Sequence, residues 1–384
     1  MVQSRFLFAA GLALGVALLA ACSGGGGQMP ASNPAVPPMS ADRSANSAVT
    51  AVVHDTSVSV LNSLTHQRTI GSTIDPVTGQ GNPYGLDIAK VSSGKISAGD
   101  LVVCNFNNLA GTEGQGTSII ALHPVVGAAT RHIVNNEELK GCTALAMSPA
   151  GPIWAVAFTD LEAPIFSGDG TLLTPLSSPL WDHPFGETFV PAIDARFFPA
   201  FYVSTAGNGN IVRVAITPAG FTFTVVATGF PINHGQPGNI LGPSGLNYTP
   251  LTDRLYVVDG ANNAVYAIDH ISNIHSHGIA VSGLTFGGPQ AFDAHVIYHG
   301  APLNGPISSA ILFNRNIVIG NTLDPDGRNL MVELSRNGTL LAVKNVDHGA
   351  AGAIFGMVAS GVSLATTKLY YNNDNDNTTR VLTP

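Results

Sequence analysis

Short apolar segments separated by Gly, Asn, Asp and Pro recur periodically along most of the chain. A brief strand that opens on a small residue appears as Gly85-Leu86-Asp87-Ile88, Ala144-Leu145-Ala146-Met147 and Ala192-Ile193-Asp194-Ala195. It appears again as Gly245-Leu246-Asn247-Tyr248, Ala310-Ile311-Leu312 and Gly356-Met357-Val358, so that the six copies start 46 to 65 residues apart. Each is followed by a second apolar run: Leu101 to Asn105, Ile153 to Phe158, Phe201 to Ser204, Leu255 to Asp259, Ile317 to Asn321 and Leu369 to Asn372. A third run follows in several copies, at Ile211 to Val214, Ala264 to Ile268 and Leu330 to Leu334. Turn residues such as Asn208-Gly209-Asn210, Asn262-Asn263 and Asp326-Gly327 tolerate the positive φ of tight hairpins. No long stretch carries the 3.6-residue apolar period of an amphipathic helix. Three or four antiparallel strands repeated six times at this spacing predict an all-β, six-bladed β-propeller, in preference to five or seven blades.

The last copy lacks an outer strand after Thr379 to Leu382, and an open strand edge is a liability. Upstream of the first copy, Ser57 to Leu61 and Arg68 to Ile70 alternate as half-buried strands do. Residues 51–70 are therefore expected to supply the missing strand and close the ring.

The first residues read as an address. Phe6 to Ala21 is apolar and short for a membrane span, which needs about 20 residues. It ends Leu19-Ala20-Ala21-Cys22, which resembles the bacterial lipobox. That resemblance implies a cleaved leader over residues 1–21 and a lipid-modified Cys22. Residues 22–50 are rich in Gly, Pro, Ser and Ala and read as a flexible tether, which leaves 51–384 as one propeller domain. Ser23, where Asp would resemble an inner-membrane retention signal, points to the outer membrane, facing the periplasm or the surface, in a Gram-negative host.

Composition narrows the partners. Lys and Arg number 16 against 24 Asp and Glu, a net charge of −8 that argues against nucleic acid, since a phosphate binder needs a basic footprint. Besides Cys22, the cysteines are Cys104 and Cys142. An exported compartment permits a bond between them, and two small buried thiols are the alternative.

Gly242-Pro243-Ser244-Gly245-Leu246, Leu255-Tyr256-Val257-Val258-Asp259 and Asn262-Asn263-Ala264-Val265-Tyr266-Ala267-Ile268 together resemble one NHL-type repeat. Asn82-Pro83-Tyr84-Gly85-Leu86 repeats its opening. The likeness extends to the gluconolactonase-like (senescence marker protein-like) propellers, and it implies a six-bladed form. Enzymes of that family hold a divalent cation with Glu, Asn and Asp placed just before the small residue of the innermost strands. The matching positions here are Tyr84, Thr143, Pro191, Ser244, Ser309 and Phe355, none a carboxylate or Asn, which counts against a metal-dependent lactonase.

Other candidate chemistry is sparse. His270, His275, His277, His295 and His299 cluster in the longest gap between copies. In an extended segment His275 and His277 would share a face, with Asp269 and Asp293 as second partners. A polar, solvated loop is the favoured alternative. Asp324-Pro325-Asp326-Gly327 and Asn372 to Asn377 concentrate oxygen atoms such as calcium uses, but hairpin turns select the same residues. Asp182-His183 near Glu187 lies among Pro184 and Gly186, which suggests a loop. Trp154 and Trp181 read as core or rim anchors. The preferred reading is a lipid-anchored module that binds a small molecule or a protein, with Tyr84, Thr143, Ser244, Ser309 and Phe355 near one mouth of the ring. The rival is a periplasmic lactonase- or lyase-like enzyme with a non-standard calcium or zinc site.

Overall fold

Six small antiparallel sheets form the described part of the chain, residues 57–384 of a computed structural model. The leader, Cys22, the tether and residues 51–56 lie outside the described residues. In chain order the innermost strands are Gly81–Ile88, Cys142–Met147, Pro184–Val190, Pro243–Thr249, Pro306–Ile311 and Ile354–Ser360. Each touches the innermost strand of the blades before and after it, and the last touches the first, so the sheets make a closed six-bladed β-propeller.

The physics of each blade follows its strand order. The second strands are buried on both faces, which is why they read as apolar runs such as Ile153–Ala157 and the Leu255 to Val258 stretch of Arg254–Asp259. The outer strands are only partly buried, as Leu340–Asp347 is. Every innermost strand shifts register near its start, for example between Pro83 and Leu86 and between Pro243 and Leu246. Such a bulge bends the strand and increases its twist. Apolar layers fill the gaps between successive blades, one of them joining the last blade to the first through Ile70, Leu86, Leu101, Tyr370 and Val381. Cys104 and Cys142 form a disulfide across the first and second blades, with Cα atoms 5.9 Å apart.

The ring is closed by His66–Ser72, which pairs antiparallel with Thr378–Thr383 and completes the sixth blade. Ser57 to Leu61, in contrast to the expectation, is not a strand. It enters a 3₁₀ turn at Leu61–Ser63, and Val60, Leu61 and Leu64 sink into the layer between the fifth and sixth blades. The reason is the partner its backbone finds. The N–H groups of Val60 and Leu61 donate to the Glu333 carboxylate at 3.0 and 2.8 Å, so no strand edge is needed to satisfy them.

Two innermost strands differ from the sequence reading. Ala192 to Ala195 is an exposed loop, and Pro191 lies just beyond the true third inner strand, Pro184–Val190. Pro184 and Gly186 therefore belong to a strand. Pro is tolerated there because it stands first. Gly186 is required because a Cβ on it would lie 1.8 Å from the Ser244 carbonyl oxygen of the next blade. In the fifth blade the strand begins at Pro306, which puts Ser308 at the small-residue position, Ile307 before it and Ser309 after it.

The long gap between copies is more than a solvated loop. Its hairpin, Ile279–Ser282 and Thr285–Gly287, adds in parallel to the outer edge of the third blade. Ile271, Ile274 and Ile279 anchor it in the core. His275 and His277 are exposed in a turn that is not extended, and His277 has φ 54°. Asp293 pairs with His270 at 2.9 Å, and Asp269 with Arg254, rather than with either of them.

Candidate functional site: the central tunnel

Three successive positions of the six innermost strands build the tunnel. The first ring is Tyr84, Thr143, Phe185, Ser244, Ile307 and Phe355. Phe106 from the first blade's second strand and Phe158, just beyond that of the second blade, join it in an apolar cluster. Tyr84 packs on Phe355 and Phe106 with ring centroids 4.0 and 4.3 Å apart. The two aliphatic hydroxyls of this ring are committed to backbone: Thr143 Oγ1 donates to Pro184 O at 3.2 Å and Ser244 Oγ to Val258 O at 3.2 Å. This cluster is the floor. The second ring is small, Gly85, Ala144, Gly186, Gly245, Ser308 and Gly356, because neighbouring backbones pass close by.

The third ring is Leu86, Leu145, Glu187, Leu246, Ser309 and Met357. With the floor and the rim residues Asp87, Asn247 and Tyr248 it encloses a cavity of about 310 Å³. Ligand pockets begin near this size, at roughly 300 Å³. Tyr84, Thr143, Ser309 and Phe355 of the expected mouth residues line it, whereas Ser244 does not. These residues are buried rather than displayed at a rim.

Glu187 is the one carboxyl of the third ring. It is 7% exposed, and neither side-chain oxygen has a hydrogen-bond partner among the described residues. Burial, reinforced by the negative charge of Asp87, pushes its carboxyl well above the usual range. Leaving a buried polar group unpaired costs about 1–3 kcal/mol, and ionising it there costs more. Asp87, by contrast, accepts the Met147 N–H at 2.8 Å and faces Lys90 at 3.4 Å. Buried, unpaired and strongly shifted groups in a concavity mark functional sites more often than structural ones.

The sequence held a signal for Glu187 that went unused. Pro83-Tyr84-Gly85-Leu86, Pro184-Phe185-Gly186-Glu187 and Pro243-Ser244-Gly245-Leu246 share one Pro-x-Gly pattern, which places Glu187 where the others have Leu.

The ring positions do not reproduce the expected cation ligands. The positions before the small residues carry no carboxylate in the corrected register, so they do not fit the ligand set that the gluconolactonase-like resemblance implies. Among the described residues no group of three His, Cys, Asp or Glu lies within reach of one metal ion. The Asp324 to Gly327 segment is a turn, with the Asp326 N–H on Asp324 Oδ1 at 2.9 Å. Asp182 and His183 pair at 2.7 Å just before the third inner strand. Trp154 stacks on Phe201, and Trp181 donates to the Leu161 carbonyl at 2.7 Å.

No family model matches the chain, and no curated protein matches it. Among solved structures, virginiamycin B lyase from Staphylococcus aureus is similar at TM-score 0.50 and 14% identity, over 83% of this chain and 99% of that one. An auxiliary nutrient binding protein from Bacteroides thetaiotaomicron is similar at TM-score 0.52 and 9% identity, over 79% and 69%. A chain of a nidogen/laminin complex is similar at 0.51 and 13%, over 74% and 87%. At these identities the likeness establishes the propeller fold.

Proposed function

We propose that the chain is a lipid-anchored, extracytoplasmic propeller that binds a small ligand in its central tunnel. The observation that carries this reading is Glu187, a buried residue whose two carboxyl oxygens have no partner among the described residues and which lines the cavity above an aromatic floor. A protein partner would meet the rim and leave that group unanswered, so a small molecule suits it better. The nutrient-binding protein of the same fold is consistent with such a use of the tunnel. The Leu19 to Cys22 pattern and the tether supply the anchoring half of the proposal, with Ser23 favouring the outer membrane. The cation-dependent lactonase or lyase has less support, because the ring positions that would hold its cation by the gluconolactonase-like resemblance carry no carboxylate or Asn.

A thermal-shift screen of small molecules tests the tunnel, because a ligand that binds the native state raises its apparent stability. Stabilising compounds should act on the natural protein and lose their effect in Leu246→Trp, which fills the cavity. Equal stabilisation of both proteins would refute tunnel binding. Cys22→Ser should abolish labelling by radioactive palmitate, and labelling that persists would refute the anchor.

A further inference from the structure

The tunnel is one-sided in its hydrogen-bonding chemistry. Glu187 presents two buried oxygens with no donor. The amide of Asn247 is spent on the carbonyl and hydroxyl of Ser309, at 2.9 and 2.8 Å. Lys90 stands at the rim, half exposed and facing Asp87. The hydroxyls of Thr188, Ser308 and Ser309 are the small donors among its other side chains, and backbone of the innermost strands also lines it. The remaining side chains are hydrocarbon and aromatic ring. A ring face attracts a cation, by about 2 kcal/mol or more where water is excluded.

Each class of ligand meets this wall differently. A polyol brings as many acceptors as donors, and most of its oxygens would lie against leucine. A carboxylate would lie beside the negative charge of Asp87 and would oppose ionisation of Glu187. An ammonium ion supplies the missing donors, places positive charge beside two acids and leaves its hydrocarbon for the apolar wall.

Building on the tunnel-binding reading, we infer that the tunnel takes a small primary ammonium ion with an apolar body. Its nitrogen sits on the Glu187 carboxylate and its hydrocarbon lies against Leu86, Leu145, Leu246 and Met357. At about 30 Å³ per water, the cavity admits a body of roughly one ring or a short branched chain. Burial and the negative charge of Asp87 raise the Glu187 carboxyl in the empty tunnel, whereas an ammonium ion beside it favours the ionised form. Binding therefore shifts this group toward proton release. The other ionisable groups facing it are Asp87 and Lys90 of the first blade, Tyr84 in the floor and Tyr248 of the fourth blade.

Calorimetry on the full chain tests this, with benzylammonium, benzyl alcohol and benzoate as probes, at pH 7 in buffers of different ionisation heat. Benzylammonium should bind at least tenfold more tightly than benzyl alcohol, and benzoate more weakly than either. The benzylammonium heat should vary with buffer in the sense of proton release. Glu187→Gln should weaken benzylammonium at least tenfold and abolish the proton release, while benzyl alcohol stays within about twofold. An alcohol that binds as well as the ammonium, an unaffected Glu187→Gln variant, or no binding of benzylammonium overturns the ammonium assignment. Tunnel binding survives those outcomes if Leu246→Trp still removes the effect of other stabilising compounds. If benzylammonium binds Leu246→Trp as well as the natural protein, both readings fall.

Discussion

Two buried glutamates stand in opposite situations. Glu333, in the third strand of the fifth blade, is fully buried and receives Ser59 Oγ, the N–H groups of Val60 and Leu61, and Asn316 Nδ2, all within 3.0 Å. Glu187, in the tunnel, receives none among the described residues. The first carboxyl is a clasp that the chain satisfies with its own segment, some 270 residues away. The second is held open at a cost. Burial alone does not separate structure from function here; the presence or absence of a partner does.

The largest expected effect comes from breaking the clasp. Deleting residues 23–46 should leave the melting temperature nearly unchanged, because the clasp begins later. Extending the deletion through Ile70 removes Val60, Leu61 and Leu64 from the core and most of the closing strand. At about 2 kcal/mol for each lost side chain, the melting temperature should fall by roughly 10 °C or more, with aggregation through the bared edge. Equal melting of the two truncations would show that the clasp contributes nothing to closure.

Next in size is Glu333→Ala. It leaves two buried N–H groups without an acceptor, and breaking a buried, charge-assisted network of this kind costs about 3–5 kcal/mol. Chemical denaturation measures it. A loss below about 1 kcal/mol would mean that the N-terminal segment is held by its apolar side chains alone.

The two regions also differ in how legible they were. Closure could be anticipated from an unfinished last blade and a strand-like upstream stretch. The seam was misjudged at Ser57 to Leu61 because its hydrogen bonds go to a side chain far along the sequence, which no local pattern encodes. The fourth blade was readable because its strands are apolar and its turns carry Asn and Gly. The third inner strand was missed because Pro184, Gly186 and Glu187 look like breakers. Pro184 stands where the strand starts, Gly186 where the next blade's backbone intrudes, and Glu187 where the tunnel has its polar group. The tunnel departs from strand propensity where its geometry demands it, so local propensity hid the candidate site.

A smaller effect of opposite sign separates the two glutamates directly. Glu187→Leu restores the apolar character of its ring and should stabilise the protein by about 1–3 kcal/mol, the cost of an unpaired buried polar group. Glu333→Leu should destabilise it. Denaturant midpoints on both variants decide the matter, and a destabilised Glu187→Leu would mean that the carboxyl has a structural partner.

Asp259 lies between these extremes and offers the finest test. Its Oδ1 accepts the N–H groups of Ala261 and Asn262 at 2.9 and 3.3 Å, while Oδ2 is buried without a partner among the described residues. Burial outweighs the two donors and pushes its carboxyl up to about 7. The folded state therefore holds this proton more tightly than the unfolded chain, whose aspartates titrate near 3.8. The resulting stability is complete below about pH 4 and is lost as the pH rises through about 7. Asp259→Asn keeps the accepting oxygen and replaces the unpartnered one with a neutral amide, so it removes this dependence. Measured in a Glu187→Gln background, which silences one other strongly raised carboxyl, Asp259→Asn should match its parent near pH 4. It should be more stable by up to about 4 kcal/mol at pH 8, read as a rise in melting temperature. A difference that stays constant between pH 5 and 8 would mean that the two backbone donors already stabilise the ionised form, and that one satisfied oxygen is enough to make a buried carboxyl behave like the clasp.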